Sequence, residues 1–332
     1  MIDLTKGKIL VTGGAGFIGS ALVWALNVKG IDDILVCDFL GTDEKWRNLA
    51  PLRFDDFIAP DKLLDRIEQN PTSLDNIRAI FHLGACSATT ERDLGYLMRN
   101  NFEFTKILGE FAAQRKIRFT YASSAATYGD GSAGMKDDES ILDKLRPLNG
   151  YAFSKQRFDL YAARHGLLTQ FVGLKYFNVF GPNEGHKGDM RSVVHKAFQQ
   201  VQATGKIQLF KSYHPDYRDG EQKRDFLYVK DAVEMTIFLA SNASAAGIFN
   251  LGFGRARSWI DLANAVFSAL GKPPVIEFIE MPETLRPNYQ NFTEANIDKL
   301  LGLGFKGPKF PLEEAVSDYV RNYLALGRPL EP

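Results

Sequence analysis

The 332 residues suffice for about two domains, or for one large layered domain with an appendage. Hydrophobic residues make up 45% and charged residues 24%, and forty Lys+Arg balance forty Asp+Glu to a formal net charge of zero. This composition excludes a disordered or fibrous chain, and its neutrality excludes the overall basic footprint that holds nucleic acid or an anionic membrane.

Short β-branched or apolar runs alternate with helical patterns through the first half, which is typical of βαβ units and a parallel sheet. The predicted strands are Lys8–Thr12, Asp33–Asp38, Asp56–Ala59, Ala79–Leu83, Arg118–Ser124 and Gln170–Tyr176. The predicted helices are Phe17–Val28, Lys62–Gln69, Met98–Arg115 and Tyr151–Ala163. The fold class is therefore α/β, a Rossmann-type doubly wound parallel sheet, whose ligands bind beyond the carboxyl ends of the strands.

The character of the sequence changes near Gly181. Helices are predicted near Ser192–Thr204 and Leu312–Leu326, whereas the polar stretch Ser212–Arg224 has too few apolar residues for a strand or helix. We expect the Rossmann domain at residues 1–180, with later segments at about 225–255 returning to it. Residues 181–332 should then form mainly a smaller α/β lobe that binds the substrate.

Two cysteines, Cys37 and Cys86, are too few for a disulfide framework, and neither stands among residues with metal-ligand spacing. The amino terminus lacks the pattern of a secretory signal, and no later segment reaches the roughly 20 apolar residues of a membrane-spanning helix. We therefore expect no metal and a cytoplasmic protein in a reducing compartment.

A glycine-rich loop follows the first predicted strand and opens a helix. Gly13 permits a turn with positive φ, Gly16 lets the backbone approach a pyrophosphate, and Gly19 allows close packing of helix on strand. The amino terminus of the helix then faces the anion. In this context the loop predicts a dinucleotide-binding site.

Two residues near the second strand favour different dinucleotides. The Asp38 carboxylate would accept hydrogen bonds from the adenosine ribose and repel a 2′-phosphate, which favours NAD. Lys45 lies seven residues further on and would favour NADP if its side chain reached the same ribose. The residues alone leave both cofactors open.

Tyr151 and Lys155 stand four residues apart, so both side chains fall on one face of a helix. An unperturbed tyrosine, with a pKa of about 10, is a poor base at neutral pH, and a nearby ammonium group would lower that pKa. The fifth strand ends in Ser123 and Ser124, whose hydroxyl groups are available to a reacting alcohol. The pattern predicts acid/base chemistry beside the dinucleotide.

These motifs resemble the extended short-chain dehydrogenase/reductase family, which includes NAD(P)-dependent nucleotide-sugar epimerases. Within it the chain is similar to the ADP-L-glycero-D-manno-heptose 6-epimerases, and the Glu-Gly-His-Lys-Gly segment at 184–188 discriminates best. The matching segments are Thr12–Gly19, His82–Thr90, Tyr121–Gly129, Tyr151–Lys155 and Lys175–Gly188.

The resemblance implies that bound NADP, with NAD as the alternative, serves the oxidation of C6 of the heptose to a ketone. Hydride then returns to the other face, so two acid/base groups are needed. The resemblance assigns these roles to Tyr151 and Lys187, supported by Lys155 and Ser124. Without the resemblance, Lys187 in its glycine-flanked loop is better explained as a solvated charge or a phosphate contact. The product would serve synthesis of the lipopolysaccharide inner core.

Further residues take roles from the resemblance by position. Contacts to the cofactor fall on Gly13, Gly16, Phe17, Ile18, Gly19, Asp38, Phe39, Lys45, Leu83, Gly84, Ala85, Cys86, Ser87, Asn100, Tyr151, Lys155, Val179 and Lys187. Contacts to the ADP-heptose substrate fall on Asn178, Asp189, Lys196, Phe210, Lys211, Ser212, Tyr213, Arg224 and Tyr289. Asp189 stands where the family has a serine. The family's histidine in the following helix falls at Lys196, but His195 is its neighbour, so the choice between His195 and Lys196 for this position stays open. The resemblance also implies a homo-oligomer, with a homopentamer as the expected form.

Two other classes of function compete with this interpretation. A UDP-hexose 4-epimerase or a 4,6-dehydratase would share the scaffold, but a dehydratase needs an Asp-Glu pair where Ala125 and Ala126 stand. A non-catalytic dinucleotide sensor would usually lose the Tyr or the Lys first, and this chain retains both.

Overall fold

A seven-stranded parallel sheet organises the structure, a computed structural model that describes residues 1–283, 285–286 and 289–332. Its strands lie in the order Gly247–Leu251 (β10), Val172–Tyr176 (β6), Arg118–Ser124 (β5), Ile77–His82 (β4), Lys8–Thr12 (β1), Ile34–Cys37 (β2) and Asp56–Ile58 (β3). Every neighbouring pair is parallel. The order reverses between β1 and β4, where a doubly wound sheet opens a crevice for ligands. This confirms the predicted fold class.

The strands and helices of the described residues alternate along the first half of the chain. The strands are β1 Lys8–Thr12, β2 Ile34–Cys37, β3 Asp56–Ile58, β4 Ile77–His82, β5 Arg118–Ser124, β6 Val172–Tyr176, β7 Asn178–Phe180, β8 Ile207–Phe210, β9 Lys223–Tyr228, β10 Gly247–Leu251, β11 Ala256–Ser258 and β12 Ile276–Ile279. The α-helices are α1 Phe17–Val28, α2 Trp46–Leu49, α3 Pro60–Gln69, α4 Leu94–Leu97, α5 Phe104–Arg115, α6 Gly150–Arg164, α7 Val193–Thr204, α8 Val229–Ser241, α9 Trp259–Leu270, α10 Asp298–Gly302 and α11 Leu312–Tyr319.

The central strands are apolar on both faces because helices cover both. In β1, Ile9 and Val11 pack into the apolar cluster on one face, whereas Leu10 joins the cluster on the other. All three side chains are fully buried. A continuous apolar run of this kind is expected of a strand inside a parallel sheet.

Later segments contribute both to this sheet and to a second group of strands. β10 pairs with β6 at the edge of the large sheet, and α8 packs on α1, β5 and β6. β7, β9 and β11 form a three-stranded sheet, and β8 and β12 form a two-stranded one. Among the described residues, no helix has the length and apolar character required to traverse a bilayer.

Two predictions about the elements differ in detail from the structure. The helix predicted at Met98–Arg115 begins with a π-helical turn, Met98–Glu103, before α5. The polar stretch Ser212–Arg224 was expected to contain no strand, but β9 begins at Lys223. β9 forms because both its edges are paired, by β7 and β11, and pairing outweighs the polar composition of its first residues.

Candidate active site

A cleft of about 620 Å³ opens at the carboxyl ends of β1, β2, β4, β5 and β6. All four predicted catalytic residues line it, namely Ser124, Tyr151, Lys155 and Lys187. The predicted cofactor residues that line it are Gly13, Gly16, Phe17, Ile18, Gly19, Asp38, Lys45, Leu83, Gly84, Ala85, Cys86, Ser87 and Val179. Phe39 and Asn100 are not among its lining residues.

The glycine loop leaves no room for side chains where the chain turns. A Cβ at Gly13 would lie 2.6 Å from the Gly84 nitrogen, and Gly13 also has φ +70°. A Cβ at Gly19 would overlap the carbonyl oxygen of Gly13. No side chain caps the first turn of α1, so its backbone N–H groups are available to an anion.

Asp38 and Lys45 form a partly buried ion pair beside this loop. One Asp38 oxygen accepts from the Ala15 N–H at 2.9 Å, and the other lies 3.1 Å from the Lys45 ammonium. The two side chains are only 10% and 16% exposed. Asp38 and Lys45, which favour different dinucleotides, are therefore in direct contact in the structure.

Asn101, a buried residue that the sequence analysis did not single out, fixes the loop that forms one wall of the cleft. Asn101 accepts from the Cys86 N–H at 2.8 Å and donates to the Cys86 carbonyl and to Ser154 Oγ, each at 3.0 Å. It thereby ties the β4–α4 loop to α6. The sequence pattern that could have identified Asn101 is its i,i+4 spacing from Thr105, since both residues are buried on one helical face. Asn100, the predicted cofactor residue, instead donates to the Tyr96 carbonyl.

His82 supports the same wall. Its two ring nitrogens lie 2.7 Å from the hydroxyls of Thr12 and Thr105, and the ring is buried. Burial lowers the pKa of His82 to about 3, with a further contribution from Lys155, so the ring is neutral. It connects β1 to α5 without adding charge beneath the cleft.

Lys155 is buried near the end of β5 and follows Tyr151 by four residues on α6. Its ammonium donates to the Ala122 carbonyl at 2.8 Å, and burial lowers its pKa to about 8 while Asp159 opposes that shift. Burial raises the pKa of Tyr151, opposed by the Ser124 hydroxyl. The expected lowering of the Tyr151 pKa is thus not present in this structure, because loss of water around the phenol outweighs the neighbouring dipole.

A buried ion pair engages one of the two serine hydroxyls at the end of β5. The Asp159 carboxylate accepts from Ser123 Oγ at 2.7 Å, from Tyr121 at 3.0 Å and from the Lys175 ammonium at 2.8 Å. Both ionic side chains are at most 1% exposed. Ser123 is therefore committed to this network, whereas Ser124 Oγ accepts from the Ala126 N–H at 3.1 Å and hydrogen-bonds to the Tyr151 phenol.

Lys187 lies on the Gly185–Met190 turn, against the glycine loop. Its ammonium is 5.5 Å from the centre of the Phe17 ring. Burial lowers the pKa of Lys187, and the negative charge of Glu184 opposes that shift. The side chain is therefore part of the cleft and not a freely solvated loop charge.

The predicted substrate residues do not gather in this cleft, apart from Asn178. The Arg224 guanidinium is buried between the rings of Tyr289 and Trp259, at 5.0 and 5.5 Å from their centres. Lys211 and Tyr213 both contact Glu280 further out on the surface. Phe210 ends β8, and the Ser212 N–H donates to the Asp219 carboxylate at 2.7 Å.

His195 and Lys196, the two candidates on α7, differ in exposure. Lys196 is exposed and donates to the Asp189 carbonyl at 2.6 Å. His195 is buried, with Nδ1 3.0 Å from the Tyr319 hydroxyl, and burial lowers its pKa to about 4. Of this pair, Lys196 alone presents its side chain to solvent.

A second cleft of about 960 Å³ is lined by residues between 130 and 148 together with residues between 214 and 301. Tyr289 is the only predicted substrate residue among its described lining residues, which also include His214, Tyr217 and Phe253. The nine substrate positions therefore spread over several surfaces, in contrast to the catalytic residues.

A family model described as the NAD dependent epimerase/dehydratase family matches residues 9–252, well over half of the chain. The chain belongs to the NAD dependent epimerase/dehydratase family. An ADP-L-glycero-D-manno-heptose-6-epimerase of Nitratidesulfovibrio vulgaris is 52% identical over 96% of this chain and 99% of its own length.

Two solved structures of similar proteins agree with this membership. The Helicobacter pylori ADP-L-glycero-D-manno-heptose-6-epimerase matches with a TM-score of 0.78 and 28% identity, over 97% of this chain and 98% of that one. The Thermus thermophilus UDP-glucose 4-epimerase, solved in complex with NAD, matches with a TM-score of 0.71 and 26% identity, over 94% and 97%.

An epimerase/dehydratase of this family depends on a nicotinamide dinucleotide, and the cleft fits one. Gly13 and Gly19 leave space that a Cβ would fill, and the uncapped first turn of α1 offers N–H groups for a pyrophosphate. Asp38 and Lys45 provide polar groups where the adenosine ribose is expected.

Proposed function

We propose that the protein converts ADP-D-glycero-β-D-manno-heptose to ADP-L-glycero-β-D-manno-heptose by epimerisation at C6, which supplies precursors of the lipopolysaccharide inner core. The main observation behind the proposal is that one cleft, next to the glycine loop, is lined by all four proposed catalytic residues, Ser124, Tyr151, Lys155 and Lys187. The identity to the N. vulgaris relative over nearly the full length of both chains supports the substrate.

In this mechanism a dinucleotide, when bound, supplies the acceptor and donor of hydride. Tyr151 exchanges a proton with the C6 oxygen as that carbon becomes a 6-ketone and is then reduced again. The Ser124 hydroxyl donates to the same oxygen, and the Lys155 ammonium favours the phenolate of Tyr151 by charge. Burial raises the pKa of Tyr151, so the mechanism relies on this charge and on the Ser124 hydrogen bond to favour the phenolate.

Lys187 is the second acid/base group of the proposed mechanism. A ketone that is reduced on either face needs a proton donor for each orientation of its oxygen. Burial lowers the pKa of Lys187, which makes its ammonium a better acid near neutral pH than a solvated lysine.

We further propose NADP as the dinucleotide, with NAD as the alternative. Asp38 would repel a 2′-phosphate as a free carboxylate, but its charge is compensated by Lys45 and by the Ala15 N–H. The Lys45 ammonium is then available at the ribose for a phosphate. Phe39 and Asn100, together with the other positions named above, complete the proposed cofactor contacts.

The proposed substrate lobe comprises mainly residues 181–332, which hold the nucleotide end of the sugar against the Rossmann domain of 1–180 and about 225–255. Arg224 is the proposed diphosphate ligand, because its guanidinium is fixed between two rings and can bind phosphate in a bidentate manner. The remaining proposed contacts are Asn178, Asp189, Lys196, Phe210, Lys211, Ser212, Tyr213 and Tyr289.

A homo-oligomer, in particular a homopentamer, and a cytoplasmic location are part of the same proposal. Leu94, Tyr96 and Phe153 expose 45%, 41% and 38% of their surfaces around the packed α4 and α6, which supports burial against another copy. The cysteines Cys37 and Cys86 are unpaired, which agrees with a reducing compartment. Size-exclusion chromatography with light scattering tests the subunit number, and a monomer contradicts it.

The function is tested by incubating the purified protein with ADP-D-glycero-β-D-manno-heptose and resolving the two epimers by chromatography. We expect an equilibrium mixture of both epimers from either starting sugar. UDP-glucose serves as the competing substrate, and its turnover without any conversion of the ADP-heptose would replace the proposal by a UDP-hexose 4-epimerase.

A further inference from the structure

The turn that carries Lys187 is closed at its base by one buried carboxylate. Glu184 precedes the turn and Ser192 follows it, immediately before α7. The Glu184 carboxylate accepts from the Ser192 N–H and from the Ser192 hydroxyl, both at 2.6 Å. Two bonds from one side chain thus join the two ends of the turn and leave Lys187 at its middle.

Glu184 belongs to the interior and not to the cleft surface. Its side chain is 1% exposed and is absent from the lining of the cleft. It also accepts from the Gly181 N–H at 3.4 Å and contacts the Tyr319 hydroxyl of α11. Burial raises the pKa of Glu184, and the hydrogen bonds from Ser192, Tyr319 and Gly181 oppose that rise because they stabilise the ionised carboxylate.

Further contacts fix the same turn in relation to the glycine loop. Asn48 Nδ2 lies 3.0 Å from the Ala15 carbonyl, 3.1 Å from the Asn183 carbonyl and 3.2 Å from His186 Nδ1. The residue before Lys187 is therefore tied to the loop that faces the dinucleotide. With its base closed by Glu184, the turn has one defined position.

The charged groups around Lys187 come from several elements. Glu184 acts on it directly, and His186 is its neighbour in the turn, with a pKa lowered by burial so that it adds little positive charge. Tyr319 from α11 contacts Glu184, and Tyr319 in turn is near Arg191, which precedes α7, and His195 of α7. Among these groups Glu184 supplies the negative charge that favours the ammonium form of Lys187.

We propose that Glu184 is a positioning residue, which closes the Lys187 turn through Ser192 and provides the negative charge behind the second acid/base group. This inference rests on the proposed function, in which Lys187 exchanges a proton with the sugar. It assigns Glu184 a role through Lys187, without contact with substrate or cofactor.

Glu184→Gln tests the charge while keeping the shape of the side chain. The titration of Lys187 is followed by competitive labelling of amines with acetic anhydride across pH, with the labelled peptide quantified by mass spectrometry. We expect the titration midpoint of Lys187 to fall by about one pH unit, because a nearby opposite charge has been removed. The exposed Lys62 and Lys206 of the same sample should keep their midpoints. A turn that merely loosened would instead move the Lys187 midpoint up, toward that of a solvated lysine.

Two further variants separate position from charge. Ser192→Ala opens the base of the turn but keeps the carboxylate, so we expect kcat to fall about tenfold with no downward shift of the Lys187 midpoint. Glu184→Asp keeps the charge on a shorter side chain and should restore the midpoint to near the native value. If Glu184→Gln folds poorly, Ser192→Ala and Glu184→Asp still test the roles of position and charge.

An unchanged or raised Lys187 midpoint in Glu184→Gln, together with native kcat in Ser192→Ala, would overturn the inference. Epimerisation by the native enzyme is measured in the same series. Its absence would reject the proposed function, whereas the labelling result would still report on the charge behind Lys187.

Discussion

The dinucleotide cleft and the outer part of the later lobe are built in different ways. In the cleft, side chains from several strand ends are fixed by buried partners, as Lys155 is by the Ala122 carbonyl and Asn101 by Cys86. In the later lobe, Lys211 and Tyr213 contact Glu280 at exposed positions. The residues proposed for the chemistry are thus held at the sheet edge by buried partners, whereas several of the proposed substrate contacts lie on exposed segments. We therefore expect substitutions in the cleft to change kcat and those in the lobe to change KM.

Tyr151→Phe should have the largest effect. Removal of the phenolic hydroxyl deletes the first acid/base group, and we expect kcat to fall by 10²-fold or more with KM nearly unchanged. Steady-state kinetics of epimerisation measures both constants. Tyr161→Phe is the matched control, because Tyr161 lies on the same helix with its hydroxyl bonded to Glu110, away from the cleft. A Tyr151→Phe enzyme with native kcat would remove Tyr151 from the mechanism.

Lys187→Met should lower kcat by about 10²-fold, since it deletes the second acid/base group while keeping the length of the side chain. The exposed Lys206→Met provides the control for loss of one positive charge. If Lys187→Met turns over at the native rate, Lys187 is a loop charge, and acid/base work on both faces must come from elsewhere.

Arg224→Lys tests the other region. Lysine keeps the charge but loses the planar fork that stacks between Tyr289 and Trp259, so we expect KM to rise about tenfold with little change in kcat. Arg164→Lys, at the exposed end of α6, is the control. A fall in kcat without a change in KM would place Arg224 with the catalytic cleft and break the comparison between the two regions.

Lys45→Ala should have the smallest effect on turnover and a selective effect on the cofactor. Loss of the cation leaves the Asp38 carboxylate uncompensated, so we expect NADP to bind about tenfold more weakly and NAD to be nearly unaffected. Fluorescence titration of the protein with each dinucleotide measures this, with Lys62→Ala as the control. Equal losses for NADP and NAD would return the preference to Asp38 and favour NAD.

The sequence predicted the cleft well because its motifs are local. The limits of β1, α1 and β5 follow directly from apolar runs and glycines, and the strand ends bring their residues to one edge. The choice of Ser124 over Ser123 could not be made from the residues, because it depends on Asp159, which approaches from α6 only in the folded chain. The pKa direction of Tyr151 was wrong for the same reason, since burial is a tertiary property.

The strand β9 and its buried carboxylate could not be predicted from the sequence, because they depend on partners that are distant along the chain. β9 begins with charged residues, yet Asp225 is fully buried and accepts from the N–H groups of Phe253, Gly254 and Ala295. Burial raises the pKa of Asp225 to about 6, and these three donors limit the rise. The sequence pattern around Asp225 does not indicate these bonds, because their donors lie 28 to 70 residues further along the chain.

The central claim is that hydrogen leaves and returns to C6 of an ADP-heptose within one cleft. It is tested most directly by NMR on ADP-D-glycero-β-D-manno-heptose that carries deuterium at C6, incubated with the native protein in ordinary water. We predict conversion to the L-glycero epimer with the deuterium retained at C6. Loss of the label to water, or no conversion at all, would contradict the account.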